Sequence, residues 1–143
     1  MTIRYARSND FDRIYEIEKR VFSNPWSKES IKNELDNDSK SLNLISQING
    51  QLMGYFFSHV ISNEVHILNV AIDVSFQHRG NGKAFFNQIL KKYLEYANVF
   101  LEVKRTNLPA INLYHKFGFE EIDIRKMYYS DGQDAIVMSR RVN

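Results

Sequence analysis

Two periods of hydrophobic and polar positions run through the chain, one typical of strands and one typical of helices. Residues 64–74 are mostly apolar and β-branched, which predicts a strand buried on both faces. Apolar side chains then recur every four residues over 85–97, which predicts a long helix facing a core. The loop between them, residues 77–83, contains two glycines and three basic side chains. The chain therefore centres on a strand, a basic loop and a helix.

The same periods predict three more strands and two helices ahead of this unit. Ile3 and Tyr5 alternate with other residues, as in a short strand. Ser8 and Ser27 are placed to cap two helices, the first with apolar positions 11, 14, 17 and 21 and the second over residues 28–37. Residues 42–48 and 52–61 predict strands joined by Asn49-Gly50, a pair typical of hairpin turns.

After the central helix, the pattern predicts three strands and one more helix. Residues 99–103 read as a strand. Asn107 is placed to cap a helix that has Pro109 in its first turn and ends at Gly118. Residues 119–129 and 133–142 predict an antiparallel pair around Asp131-Gly132. One αβ domain over residues 1–143 accounts for all these elements.

Composition narrows the class of protein. Hydrophobic residues make up 43% of the chain and charged residues 25%, which is ordinary for a globular domain. No apolar run is long enough to span a membrane, and the first residues lack the apolar core of a signal peptide. The absence of cysteine excludes disulfides, thiol catalysis and cysteine-bound metal. We expect a soluble, cytoplasmic protein without a membrane partner.

The charge is weak overall but unevenly distributed. A net charge of +2 does not by itself favour nucleic acid, so no direct nucleic-acid partner is expected. Basic side chains nevertheless concentrate in the loop and the region after it. Those of the loop are at least as well suited to contact an acidic cofactor as to lie in solvent.

The spacing of the loop residues separates three kinds of phosphate-binding loop. The dinucleotide motif needs a third glycine where Phe85 stands. The nucleoside-triphosphate motif needs glycine at Gln77 and serine or threonine at Ala84. What remains is Gln-x-x-Gly-x-Gly at the start of a helix, where free backbone N–H groups favour a phosphate. A turn that only caps the helix is the open alternative.

Two side chains are candidates for proton transfer. Glu102 lies in an apolar strand, where loss of solvation would raise the pKa of its carboxyl towards that of a useful base; the alternative is a side chain pointing to solvent from an edge strand. Tyr114 lies in a predicted helix, where tyrosine is more often a core residue than a catalyst.

The sequence lacks the Gly-x-Ser-x-Gly elbow of serine hydrolases. No metal is expected, because the four histidines share no ligand spacing: His59, His66, His78 and His115.

The order of these motifs resembles the GNAT acetyltransferases, and most closely their bacterial ribosomal-protein-alanine N-acetyltransferases. The resemblance covers nearly the whole chain and rests on blocks more specific than the glycine loop: Asn24-Pro-Trp-Ser27, Leu68-Asn-Val-Ala-Ile-Asp73, Leu101-Glu-Val103, Ala110-Ile-x-Leu-Tyr114, Arg125-x-x-Tyr-Tyr129 and Asp134-Ala-Ile-Val-Met138. Two residues depart from the family pattern. Val74 stands where proline is common, and Gln77 stands where many relatives have arginine.

The resemblance implies a fold and a site. The fold is a single α/β (α+β) domain whose mixed, mostly antiparallel sheet of about seven strands is flanked by about four helices. Glu102 is the implied general base and Tyr114 the implied general acid. Trp26, Tyr128 and Tyr129 are candidates for the acceptor mouth, and the open alternative is that each one simply packs. The co-substrate is acetyl-CoA, held by the backbone of Val70, Ala71 and Ile72, by the loop residues Gln77, His78, Arg79, Gly80, Asn81, Gly82 and Lys83, and by Asn107.

Two classes of function follow. The first is an acetyl-CoA-dependent Nα-acetyltransferase that acts directly on a protein N-terminus, with an alanine of a small-subunit ribosomal protein as the expected acceptor. Within this enzyme class, a lysine side chain or a small amine is the alternative acceptor. The second class is a non-catalytic module that binds acyl-CoA and a protein. The presence of both Glu102 and Tyr114 argues against that module, since binding needs neither. A monomer or weak dimer is expected.

Overall fold

Seven strands form one sheet in the order β1-β2-β3-β4-β5-β7-β6. The structure is a computed structural model that describes residues 1–37 and 39–142. Neighbouring strands are antiparallel except for β4 and β5, which are parallel. The predicted mixed, mostly antiparallel sheet is therefore confirmed. The strands are β1 (Thr2–Tyr5), β2 (Leu44–Ile48), β3 (Gln51–Ile61), β4 (Glu64–Ile72), β5 (Asn98–Lys104), β6 (Glu120–Arg125) and β7 (Ala135–Arg140).

Helices cover both faces of this sheet. Two of the predicted caps are confirmed: Ser27 Oγ accepts a hydrogen bond from the Ser30 amide at 3.1 Å, and Asn107 Oδ1 accepts one from the Ala110 amide at 3.3 Å. Short 3₁₀ turns precede the first and third helices, at Ser8–Asp10 and Val74–Phe76. The α-helices are α1 (Phe11–Val21), α2 (Lys28–Asp36), α3 (Asn81–Lys92) and α4 (Leu108–Lys116).

Side chains of β3 alternate between the two faces and divide the core. Phe56 packs with residues of α3 and α4, whereas Tyr55 and Phe57 pack with residues of α1 and α2. All three rings are fully buried. Aromatic side chains are thus buried on both sides of β3, and β4, the middle strand of the seven, lies directly beside it.

The central helix is shorter than the apolar repeat predicts. α3 ends at Lys92 instead of continuing to residue 97. Leu94 is still buried, and the Ala97 amide donates to the Leu94 carbonyl in a turn. The chain must leave the helix here because Asn98 pairs with Glu64 at the start of β5. Apolar residues of the turn therefore continue the repeat although the helix has ended.

Other boundaries also differ from the predictions. Ser8 does not cap α1, since its hydroxyl donates to Asp36 at 3.2 Å and Asp10 organises the preceding turn through the Arg7 amide. β2 begins at Leu44, and β4 ends at Ile72. The last two strands are shorter than predicted, so that residues 126–134 form a long connection around the turn at Gly132. None of the described helices is long and apolar enough to cross a membrane.

Candidate active site

The parallel strands β4 and β5 pair only at their beginnings. The register pairs Glu64 with Asn98, Val65 with Val99 and His66 with Phe100, and the ladder stops there. Both strands continue, to Ile72 and Lys104, on the two sides of a cleft of about 580 Å³. We call it the β4–β5 cleft. The prediction that β4 is buried on both faces is wrong at Leu68, which is 39% exposed because β5 is separated from β4 at this point.

The open edge of β4 presents backbone groups to this cleft. The Asp73 amide donates to the Met53 carbonyl of β3 at 2.8 Å. Backbone groups in an antiparallel pair alternate in direction, so those of Ala71 also point to β3 and those of Val70 and Ile72 point away from β3, to the open edge. The close approach of Gly54 agrees with this, since a Cβ there would lie 2.4 Å from the Ala71 carbonyl oxygen. Of the three predicted backbone ligands, Val70 and Ile72 present their N–H groups at the open edge, and of these two Val70 lines the cleft.

A buried carboxylate fixes the end of β4. Asp73 is 1% exposed and accepts hydrogen bonds from Arg13 at 2.9 Å, from Arg20 at 2.7 Å and from Ser75. Burial alone would raise the pKa of Asp73, but these bonds together lower it. Both arginines belong to α1, so the ion pairs tie the end of β4 to that helix. Sequence reasoning quoted Asp73 only as part of a motif and missed this role.

A second buried carboxylate fixes the middle of β4. Glu18 of α1 is 1% exposed and accepts hydrogen bonds from the Tyr55 hydroxyl, from Asn69 Nδ2 at 2.8 Å and from the Trp26 amide at 2.9 Å. Burial and the bond to Glu18 raise the pKa of Tyr55. These bonds hold the loop that carries Trp26 beside β4. The sequence signal was a glutamate within the apolar stripe of the first predicted helix.

The basic loop forms the start of α3. His78 and Gly80 both have positive φ angles, +62° and +79°, and the Ala84 amide makes the first helical bond, to the Gly80 carbonyl at 3.0 Å. The amides of Asn81, Gly82 and Lys83 come before that bond and, as at any helix start, have no acceptor within the helix. Together with the helix dipole, these amides favour an anion at this point.

Two predicted loop ligands hold the loop in place through their side chains. Gln77 Nε2 donates to the Ile72 carbonyl at 2.9 Å, and Asn81 Nδ2 donates to the Phe76 carbonyl at 2.9 Å. Gly82 is also close to β4, because a Cβ there would lie 3.4 Å from Ile72 Cγ1. The loop therefore lies at the end of the open β4 edge, beyond the residues that line the cleft.

Glu102 lies on the β5 wall of the cleft and is not desolvated. Its side chain is 30% exposed, and Oε1 accepts a hydrogen bond from Arg125 Nη1 at 2.8 Å. β5 is an internal strand, yet Glu102 is exposed to solvent because β4 and β5 are no longer paired at this point. The prediction that Glu102 loses its solvation is wrong, and the alternative of an exposed side chain describes it better.

Tyr114 combines the two environments that were considered for it. Its ring packs on Phe86 and Phe119, with centroids 5.6 and 5.8 Å apart, and it also lines the β4–β5 cleft. Burial raises the pKa of Tyr114, so its hydroxyl keeps its proton at neutral pH. Asn107, at the start of the same helix, lines the cleft as well.

A second cleft of about 640 Å³ meets the first at Glu102. Both clefts are lined by Leu68, Glu102 and Tyr129, and Trp26 and Tyr128 line the second alone. We call it the Tyr128 cleft. Burial, with a smaller contribution from the negative charge of Glu102, raises the pKa of Tyr129 to about 12. The three aromatic residues predicted for an acceptor mouth thus line one cavity. Within residues 1–37 and 39–142, no group of three potential ligands could hold a metal ion.

The model of the acetyltransferase (GNAT) family matches residues 11–119. The chain belongs to this family. A [ribosomal protein bS18]-alanine N-acetyltransferase of Escherichia coli K12 is 32% identical over 143 residues, which cover 96% of this chain and 95% of the relative. The enzyme of that name from Haemophilus influenzae is 36% identical over 136 residues, which cover 91% of both chains.

Solved structures agree with the sequence relatives. The crystal structure of the ribosomal-protein-S18-alanine N-acetyltransferase from Escherichia coli matches this GNAT domain with a TM-score of 0.90 and 31% identity. The match covers 99% of this chain and 95% of the other. The predicted family, fold and enzyme class are therefore confirmed.

Proposed function

We propose that this GNAT acetyltransferase transfers the acetyl group of acetyl-CoA to the free α-amine of a protein N-terminus, and that its acceptor is the N-terminal alanine of a ribosomal protein. The observation that carries the proposal is the meeting of two clefts at Glu102: one bordered by an open strand edge, the other by Trp26, Tyr128 and Tyr129. The names of the relatives support this acceptor. Such an acceptor also implies activity in the cytoplasm.

The chemistry of the β4–β5 cleft suits acetyl-CoA. The N–H groups of Val70 and Ile72 are available to an extended, amide-bearing arm, as at other open sheet edges. The helix start at Gly82 and Lys83, together with the neighbouring Arg79, suits the pyrophosphate. Gln77 acts indirectly in this proposal, by holding the loop against the Ile72 carbonyl.

Transfer needs a proton acceptor for the amine, donors for the developing oxyanion and a proton for the leaving thiolate. Glu102 accepts the ammonium proton, either directly or through a water molecule. Its carboxylate is exposed, so water has access to it. A cleft-facing β4 amide donates to the carbonyl oxygen as negative charge develops on it. Tyr114 keeps its proton at neutral pH and gives it to the thiolate as the C–S bond breaks. The second proton that the nitrogen loses restores the tyrosine hydroxyl, directly or through water. The chain has no cysteine for an acyl-enzyme, so direct transfer between the bound substrates is favoured.

Proton chemistry also favours an α-amine over a lysine side chain. An α-amino group has a pKa of about 7.7–8.0 and lysine one of about 10.4, so at pH 7 roughly one α-amine in ten is neutral, against well under one lysine in a thousand. A solvent-exposed carboxylate such as Glu102 has the easier task with the N-terminus.

The test offers the purified protein and acetyl-CoA two peptides of one sequence. One begins with free alanine and lacks lysine, and the other is blocked at its N-terminus and carries one lysine. We expect mass analysis to show faster acetylation of the first peptide, and Glu102→Gln to slow that reaction by about 10²–10⁴-fold. Faster acetylation of the blocked peptide would overturn the proposed acceptor class. Equal rates for Glu102→Gln and the unchanged protein would overturn the role of Glu102.

A further inference from the structure

Arg125 connects the proposed base to the aromatic wall of the Tyr128 cleft. It is the last residue of β6, and its Nη1 donates to Glu102 Oε1 at 2.8 Å. Its guanidinium carbon lies 4.5 Å from the centroid of the Tyr128 ring, a cation–π distance. Neither the mechanism above nor the names of the relatives gives this arginine a role.

Glu102 needs such a partner because it is exposed. A glutamate side chain has several rotatable bonds, and an exposed one loses conformational entropy when it is held in one arrangement. A general base must nevertheless stay within hydrogen-bond reach of the proton that it accepts. The opposite wall of the cleft is β4, which is separated from β5 at this point. The group that restrains the Glu102 side chain therefore has to lie on the same side of the cleft as β5.

Arg125 has two partners within the protein, Glu102 and the Tyr128 ring, although its side chain is 52% exposed. The Tyr128 ring lies on it, and Asp123 is on the same face of the sheet, because Asp123 and Glu102 both pair with Val137. The bond to Glu102 raises the pKa of Arg125, with a smaller effect from Asp123. The neighbouring carboxylate of Glu102 also raises the pKa of Tyr128. The guanidinium is thus engaged within the protein.

We propose that Arg125 is a positioning residue: it holds Glu102 through Oε1 and so keeps the carboxylate directed at the acceptor amine or its bridging water. The inference rests on the proposed role of Glu102. Two other roles for Arg125 give different results. If Arg125 bound the acceptor, its removal would raise the acceptor KM. If Arg125 blocked Glu102, its removal would tighten acceptor binding.

The experiment compares Arg125→Met and Arg125→Lys in the full chain, with the alanine peptide as acceptor. Because a misplaced group can cost roughly 10²-fold in rate, we expect Arg125→Met to lower kcat by about 10–100-fold and to leave the acceptor KM within about twofold. Arg125→Lys should recover part of kcat. The matched control is Arg4→Met, which removes another strand arginine paired with a carboxylate, Asp10, at 2.8 Å but lines neither cleft. It should keep the kcat of the unchanged protein.

A double-mutant cycle separates positioning from a general structural effect. If Arg125 acts through Glu102, Arg125→Met should cause no further loss of kcat when Glu102 is already glutamine. An independent loss in that background would overturn the proposal, and so would a raised KM with unchanged kcat or a lowered KM with unchanged kcat. Failure of the proposed function would look different, because the unchanged protein would then not acetylate the alanine peptide.

Discussion

Tyr114 has the two properties that a proton donor requires: a protonated hydroxyl at neutral pH and a position on the wall of a cleft. The first follows from burial of the ring against Phe86 and Phe119, which raises its pKa. The second follows from the place of Tyr114 on α4, facing the opening between β4 and β5. A core residue and a cleft residue are therefore not exclusive descriptions of this tyrosine.

Replacement of Tyr114 by phenylalanine tests this role. The ring and its packing remain, so the free energy of unfolding and the affinity for acetyl-CoA should be unchanged. Loss of the hydroxyl proton should lower kcat by about 10²–10⁴-fold, as measured in steady-state assays with the alanine peptide. Tyr96→Phe is the control, because Tyr96 is 81% exposed and lines neither cleft. A Tyr114→Phe variant with unchanged kcat would leave the tyrosine with a packing role alone.

At this scale, residue types were predictable from the sequence and environments were not. Glu102 was recognisable as a carboxylate in an apolar strand, but its exposure depends on the separation of β4 from β5, which no local pattern encodes. Asp73 and Glu18 show the opposite case. The sequence marks Asp73 only by its place in a motif and Glu18 only by its place in an apolar stripe, and each is buried by partners far along the chain.

At the scale of elements, periodicity predicted which segments fold and long-range packing decided where they end. Caps were predictable at Ser27 and Asn107 because capping involves residues only three positions apart. The end of α3 was not, since it is imposed by the pairing of Asn98 with Glu64. The long connection 126–134 likewise depends on tertiary contacts, such as the ion pair between Lys104 and Asp131 at 2.7 Å.

The ion pairs of Asp73 make the junction of β4 and α1 sensitive to acid. Its pKa is lowered in the folded protein, so the stabilisation is fully present above the unfolded value of about 3.9 and is lost as the pH falls through the folded value. We expect Asp73→Asn to reduce the free energy of unfolding by about 1.5–3 kcal/mol at pH 7, because Arg13 and Arg20, which are partly exposed, lose their charge-assisted hydrogen bonds to a buried carboxylate.

Urea unfolding at pH 7 and at pH 3 measures this effect. The difference between the Asp73→Asn variant and the unchanged protein should be smaller at pH 3, because this pH lies below the unfolded pKa of about 3.9 and proton binding by the unfolded chain already removes part of the stabilisation. Asp131→Asn provides the control, since Asp131 is also ion-paired and has a lowered pKa but is 42% exposed, so its removal should have a much smaller effect at pH 7. An equal difference at both pH values would contradict the assignment of the acid sensitivity to Asp73.

At the scale of the whole molecule, the sheet has two parts that are joined along a short seam. Strands β1 to β4 lie on one side, and β5, β7 and β6 lie on the other, with three residue pairs between β4 and β5. The core residues of α3 pack together with those of both sides. In the proposed function, acetyl-CoA lies along this seam and contacts β4, α3 and α4. A ligand that bridges the two parts only in the folded protein should stabilise the molecule as a whole.

Acetyl-CoA at 100 times its dissociation constant should therefore raise the free energy of unfolding by about 2.7 kcal/mol. For a domain of this size, that corresponds to a rise in Tm of roughly 5–10 °C, measurable by thermal unfolding.

Gly82→Asp should keep its fold, because the added Cβ lies at an ordinary contact distance of 3.4 Å from Ile72. It should nevertheless show little rise in Tm at the same concentration, since its carboxylate repels the pyrophosphate at the start of α3. Gly82→Ala, which adds the Cβ without the charge, separates the two effects. An equal rise for Gly82→Asp and the unchanged protein would remove the phosphate assignment from this loop, and no rise in either would remove acetyl-CoA as the co-substrate.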